Sequence, residues 1–198
     1  MMRTSLTNVV EVHVYANNFF GLTADGQVYA WGEGFGGLLA NSNGSLIGDV
    51  LRGAPVLAPT VVPGLGPVRQ IVFTGWTAFA LQADGKVMAW GDDRDGLLGR
   101  GPKQRTTRPA ATGLIDIAEL AASEFQGVRA LRADGGVLAW GKLLDGPTNK
   151  PLATPAAVTP SERVRHIAGF DSGMNVLFNS GRVGIEVTDS QDTSQRFR

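Results

Sequence analysis

One eleven-residue stretch recurs along this chain and constrains the fold more than any other feature. Leu22-Thr-Ala-Asp-Gly-Gln-Val-Tyr-Ala-Trp-Gly32 returns as Leu81-Gln-Ala-Asp-Gly-Lys-Val-Met-Ala-Trp-Gly91, and again as Leu131-Arg-Ala-Asp-Gly-Gly-Val-Leu-Ala-Trp-Gly141. A fourth, more diverged copy is Leu177-Phe-Asn-Ser-Gly-Arg-Val-Gly-Ile-Glu-Val187. The central glycines Gly26, Gly85, Gly135 and Gly181 are separated by 59, 50 and 46 residues. A period near 50 belongs to propeller blades or solenoid units.

Each copy states its own local structure. Asp-Gly between two alternating apolar runs is a hairpin signal, because glycine enters positive φ without steric cost. Phe20 and Leu22 before the turn share a face, as do Val28 and Ala30 after it, and a period of two means strand. Val12, Ile71, Ala121 and Ile167 stand ten residues before each leucine and mark an earlier strand. Each unit is therefore three or four short antiparallel strands. Between Leu114 and Leu131, Ile117, Leu120, Ala121 and Phe125 have helical spacing, and Ala and Glu favour helix. The repeat register overrides that local signal and predicts a strand. Glycine, 27 of 198 residues, is roughly twice its ordinary share of about 7%, as many tight turns require.

These residues resemble the repeats of the regulator of chromosome condensation family. The likeness rests on the three Leu-x-Ala-Asp-Gly-x-Val-x-Ala-Trp-Gly stretches and on the following loop Asp95-Gly-Leu-Leu-Gly99. Weaker loop matches are Gly36-Gly-Leu-Leu-Ala40 and Leu144-Asp-Gly-Pro147. The resemblance implies an all-β propeller, which in that family usually has seven blades, and a founding activity of nucleotide exchange on a small GTPase with chromatin contact. The histidine the family carries four residues before the leucine is replaced here by Asn18, Thr77, Gly127 and Gly173. The chain is thus expected to be a single domain, 1–198, of about four blades. Its units span roughly 9–61, 68–113, 117–160 and 164–187, with a polar tail at 188–198. Four blades either close as a small propeller, or form a partial one completed by oligomerisation or by a partner.

Trp31, Trp90 and Trp140 occupy one repeat position, so packing in the wedge between units is the expected role. Trp76, in Phe73-Thr-Gly-Trp-Thr77, lies outside that register and is expected at an exposed loop.

Chemistry-bearing constellations are scarce. There is no cysteine and there are only two histidines, His13 and His166, each in a strand-like run and each expected as a surface or filler residue. No structural zinc site follows from such a set. Gly32-Glu-Gly-Phe-Gly-Gly37 has the dinucleotide spacing but is followed by Leu-Leu-Ala-Asn-Ser-Asn, which does not open a helix, so it is read as an inter-strand loop. Asp92-Asp-Arg-Asp-Gly96 lacks the order of a calcium loop and is expected to be a solvated acidic turn. No catalytic residue, metal or cofactor is assigned.

Lys plus Arg and Asp plus Glu both number 18, so the formal charge is zero, which argues against nucleic acid as the main partner. The best contact candidates are a basic loop, Arg100, Lys103, Arg105 and Arg108, then the apolar insertion 41–63 through Leu46, Ile47 and Leu51, with Trp76 a further candidate. The chain reads as a non-enzymatic protein–protein interaction scaffold. Self-association, or docking in a larger bacterial or viral assembly such as a virion decoration or tail, is the expected form. The alternative is an exchange-factor-like regulator of a small GTPase. Met1 to Val12 lacks a signal-peptide core and no stretch is long and apolar enough for a membrane span, so a cytoplasmic or assembly setting is expected.

Overall fold

The computed structural model describes residues 6–41, 45–47, 50–93, 96–101, 106–123, 127–144, 151–158, 160, 162–170 and 173–187. All regular structure among them is β, and no helix long and apolar enough to cross a membrane occurs there. The first unit comprises β1 (Val9–Tyr15), β2 (Asn18–Thr23), β3 (Val28–Gly32), a small ribbon of β4 (Ser45–Ile47) and β5 (Val50–Arg52), and β6 (Val56–Val61). The second is β7 (Val68–Thr74), β8 (Thr77–Gln82), β9 (Val87–Gly91) and β10 (Thr106–Ala111). The third is β11 (Ile117–Ser123), β12 (Gly127–Arg132), β13 (Val137–Leu144) and β14 (Pro151–Val158). The fourth has three strands, β15 (Val164–Phe170), β16 (Gly173–Phe178) and β17 (Val183–Val187). Each unit is one antiparallel meander, in the orders β1-β2-β3-β6, β7-β8-β9-β10, β11-β12-β13-β14 and β15-β16-β17.

The repeated Asp-Gly turn sets both the hairpin and the joint to the next sheet. Gly26, Gly85, Gly135 and Gly181 have φ of 83°, 80°, 86° and 85°. Each of their amides donates to the residue three positions back, at 2.9–3.0 Å. The carbonyl of Gly26 accepts from Val68 N at 2.9 Å, and that of Gly85 from Ile117 N at 3.1 Å, so each turn receives the start of the following sheet. A Cβ on Gly26 would stand 2.7 Å from Val68 N, which leaves glycine as the residue for both conformation and space. At the second turn Lys86 Nζ donates to Asp84 at 2.6 Å and holds that carboxyl below its ordinary range.

Three cores lie between consecutive sheets. Phe20, Leu22, Val28 and Ala30 of the first sheet meet Ile71, Ala78, Ala80 and Trp90 of the second. Phe79, Leu81, Val87 and Ala89 meet Leu120, Val128, Ala130 and Trp140 of the third. Leu131 and Val137 meet Val164, Ile167 and Val176 of the fourth. The first strands stand next to one another, β7 against β11 and β11 against β15, as blades do about a propeller axis. Segment 117–123 is strand, because its apolar residues face two different cores: Leu120 packs back on the second sheet and Ala121 forward on the fourth.

That register corrects one alignment. Ile71 pairs with Ala80 and Leu120 with Ala130, so Leu120, not Ala121, is the counterpart of Val12, Ile71 and Ile167. Two residues separate the first two strands in units one, two and four, but three residues, 124–126, do so in unit three. The extra residue lengthens the count back from the leucine by one.

Side chains tie neighbouring inner strands together. Gln70 bridges to Leu120, its Nε2 donating to the carbonyl and its Oε1 accepting from the amide, each at 2.8 Å. Glu119, the same position one unit later, accepts from Ile167 N at 3.1 Å. Gln70→Ala removes two part-buried bonds and is expected to lower unfolding free energy by about 1–3 kcal/mol. Urea unfolding measures it, and a change inside about 0.5 kcal/mol, ordinary for a surface site, contradicts the bridge.

Two of the positions where the resembling family carries histidine hold polar side chains that bond the loop of their own unit. Asn18 is buried and accepts from Gly34 N at 2.8 Å while donating to Phe35 O at 3.2 Å. Thr77 is buried too, and donates to Asp92 O at 2.7 Å. Both fasten the loop that follows the Trp-Gly pair.

Candidate protein-interaction surface

Among the described residues the arc has two uncovered ends, and the first of them is apolar. On β1 and β2, Val12 pairs with Gly21 and Val14 with Phe19, and Phe19 in turn pairs with Trp31 on β3. Directly paired residues share a sheet face, so Val12, Val14, Phe19 and Trp31 form one patch. Their counterparts in the second sheet, Ile71, Phe73, Ala78 and Trp90, belong to the core against the first sheet or pack on it. Here the same positions lie open: Val12 is 65% exposed, Val14 64% and Phe19 40%. Trp31 is half-buried and stacks on Phe19, with ring centroids 5.6 Å apart and planes 11° apart. Trp90 Nε1 donates to Leu38 O at 2.8 Å and Trp140 Nε1 to Leu97 O at 2.7 Å, each carbonyl belonging to the preceding unit. Trp31 has no preceding unit among the described residues, and no carbonyl there accepts from its indole. Wedge packing thus holds for Trp90 and Trp140, while Trp31 stands at the edge of the arc.

The other end shows the opposite face. Val183 occupies the position of Val28, Val87 and Val137, which are each buried against a following sheet, yet it is 66% exposed. Gly181 has open space where Gly26 meets Val68. Among the described residues the sheets therefore form a partial propeller, not a closed four-bladed ring.

Between the ends runs an axial groove of about 560 Å³ lined by Val12 to Tyr15 of β1, Gln70 to Phe73 of β7, Leu120 to Ala122 of β11 and Ile167 to Gly169 of β15. His13 lies 3.1 Å from Glu11, and His166 lies 3.4 Å from Glu119. The two histidines thus sit on different blades, each beside its own carboxylate, in a surface role.

The sequence-selected contact residues are scattered over the arc. Arg108 is exposed on β10, and Arg100 is half-buried at the loop before it; Lys103 and Arg105 lie outside the described residues. Leu46 and Ile47 are on β4 and Leu51 is on β5, where Leu46 pairs with Leu51. That ribbon is anchored at its base by Gly53 N donating to Gly34 O at 2.7 Å and by Asn41 Nδ2 donating to Ala54 O at 2.7 Å. Trp76 is half-buried, not free in a loop: its ring lies 6.3 Å from that of Phe35 and covers Gly36. The acidic turn is also corrected. Asp92 and Asp93 are buried, and Asp93 Oδ1 accepts from Leu98 N at 2.8 Å, so this carboxylate organises the loop that supplies Leu97 and Leu98 to the core; Arg94 and Asp95 lie outside the described residues. Similarly, the Gly32–Gly37 stretch leads into Leu38, Leu39 and Ala40, which fill the first inter-sheet core. The two exposed ends were not selected from sequence. The signal was present in Phe19 and Trp31, whose later counterparts Ala78 and Trp90 have a preceding unit in the chain.

No family model matches the chain. The RCC1-like G exchanging factor-like protein of Mus musculus is 35% identical over 97 residues, covering 48% of this chain and 19% of that protein. The E3 ubiquitin-protein ligase HERC2 of Homo sapiens is 33% identical over 105 residues, 53% of this chain and 2% of its own length. The mitochondrial RCC1 domain-containing protein RUG3 of Arabidopsis thaliana is 42% identical over 81 residues, 39% of this chain and 16% of that protein. Among solved structures, human WBSCR16 superposes with a TM-score of 0.76 at 22% identity, over 94% of this chain and 50% of that one. Prp20p of Saccharomyces cerevisiae, studied with its binding to Gsp1p and histones, gives 0.71 at 22% identity over 89% and 43%. The chain spans less than a fifth of each of these curated relatives and about half of the first solved structure.

Proposed function

Because the chain is built of RCC1-like repeats, we propose that it is a non-enzymatic protein-interaction module that works through the ends and loops of its propeller arc. The observation that carries this reading is the exposed patch of Val12, Val14 and Phe19, whose counterparts elsewhere in the chain are packed between sheets. Contiguous exposed apolar surface rimmed by polar residues marks an interaction site in a soluble protein. Secondary contacts are proposed at Arg100, Lys103, Arg105 and Arg108, at Trp76, and on the ribbon bearing Leu46, Ile47 and Leu51. A subunit role in a bacterial or virion assembly is one form of this reading, in which neighbouring subunits cover the ends. Affinity capture with the whole chain tests it. The wild type is expected to retain a protein at fixed stoichiometry, the double variant Val12→Glu/Phe19→Glu to lose it, and capture insensitive to both substitutions counts against the reading.

A second reading is regulation of a small GTPase by nucleotide exchange, favoured by the likeness to the mouse RCC1-like G exchanging factor-like protein. Release of a fluorescent guanine nucleotide from a small GTPase decides between the two. Acceleration by the chain supports exchange; an unchanged intrinsic rate is expected for a scaffold.

A further inference from the structure

The two ends of the arc are the two halves of an interface that the chain has already made three times. Within the chain each joint sets a face carrying the position of Val28, Val87 or Val137 against a face carrying the position of Ile71, Leu120 or Ile167. Among the described residues one half remains open on the fourth sheet at Val183, and the other on the first sheet at Val12, Val14 and Phe19. The inner strand repeats the complementarity. Gln70 and Glu119 each reach the main chain of the following unit, and His166 holds that position on β15 with no following unit among the described residues. We propose that the occupant of both ends is a second copy of this chain, joined head to tail, with the fourth sheet of each copy on the first sheet of the other. This rests on the interaction-module reading and names its partner.

The geometry favours a closed pair. Four units occupy about half of the WBSCR16 chain they superpose on, and two arcs give eight blades, within the range of about 4–8 that propellers adopt. A two-fold along the groove then relates the two contacts, both ends are covered, and no strand face is left open. A heterologous contact whose rotation did not close would instead grow into filaments.

Sedimentation and light scattering on the purified 198-residue chain test this. The expected species is a dimer of about twice 20.9 kDa across a dilution series. Val12→Glu/Val14→Glu and, separately, Val183→Glu should each weaken the dimer about 30-fold or more, the loss expected for an interface anchor. Both alter exposed positions, so circular dichroism should remain that of the folded wild type, and Val14→Lys with Val183→Lys serve as a second pair. The decisive arm mixes the two variants: each keeps one sound end, so a 1:1 complex held by a single contact should form although neither variant self-associates. A wild type that stays monomeric overturns the proposal. So does a dimer that survives Val183→Glu, which would mean first sheet on first sheet, and so does a mixture that fails to associate. If the wild type is monomeric yet captures another protein through Val12 and Phe19, the second copy is wrong and the interaction-module reading stands.

Discussion

Trp90→Ala should cost about 3–5 kcal/mol of unfolding free energy, the range for deleting a buried large aromatic side chain. The indole is 0% exposed, sits in the core between the first and second sheets, and donates to Leu38 O at 2.8 Å. Truncation leaves a cavity bounded by two sheets and strips a buried carbonyl of its partner, and those losses add. Trp140 has the same environment one unit later, with its Nε1 on Leu97 O at 2.7 Å and its ring edge-on to Phe79 at 5.8 Å. Trp31→Ala is the internal control: its ring is half-buried at the open end, so truncation should cost about 1 kcal/mol or less in the monomer, as at sites outside the core. Urea unfolding of the three variants measures the contrast. At about 2–4 °C per kcal/mol for a chain of this size, Trp90→Ala should also lower the melting temperature by about 6–20 °C. A near-neutral Trp90→Ala would contradict the inter-sheet role assigned to this repeat position, as would a Trp31→Ala as costly as the other two under conditions where the chain is monomeric.

Much of the fold could be read from the chain because the repeat ties local and long-range signals to the same residues. Asp25-Gly26 marks a turn by its conformational preference, and the same glycine receives Val68 of the next sheet, so hairpin and blade spacing carry one signature. Where propensity opposed the repeat, at Ile117 to Ser123, tertiary packing on both sides decided for strand, as β-structure often does. A single added residue between β11 and β12 was enough to misplace Ala121 for Leu120, since sequence counting does not see where a longer turn is absorbed. The acidic turn misled for a different reason. Charge suggests solvent, but Asp93 is inside because a backbone amide, Leu98 N, supplies the hydrogen bond that burial of a carboxylate requires. The ends were harder to read: Val183 looks like any other core position of its repeat, and Phe19 and Trp31 stand out only by having no preceding copy of the repeat beside them. The arrangement of the sheets leaves Phe19 and Val183 exposed among the described residues, by 40% and 66%. Contact residues chosen by composition, such as Arg108 and Leu51, carry no repeat to test them against, so sequence alone placed them less firmly than the tryptophans.

Gly91→Ala should be as damaging as a much larger change elsewhere, because it sits where two chain segments come closest. The residue has φ of +116°, and a Cβ built there would lie 2.2 Å from Trp76 O and 3.0 Å from Thr77 Cα. The obstacle is backbone, so rotating a side chain does not relieve it. Its surroundings are also fixed: Asp92 N donates to Trp76 O at 2.8 Å and Thr77 Oγ1 to Asp92 O at 2.7 Å, which pins the strand exit to the turn before β8. An alanine must then adopt a backbone region that costs about 1–2 kcal/mol and displace a packed segment for a further 1–3 kcal/mol. The expected loss is about 3 kcal/mol, measured by urea unfolding. Gly32, at φ +130° and 2.5 Å from Asn17 O by the same construction, occupies the equivalent place in the first unit and should respond alike. Gly113 provides the contrast, with φ +85° but nothing within 4 Å, so Gly113→Ala should show the conformational cost alone, about 1–2 kcal/mol. If Gly91→Ala and Gly113→Ala prove equal, the close approach at the Trp-Gly pair contributes nothing, and the glycine after each tryptophan is there for its torsion angle only.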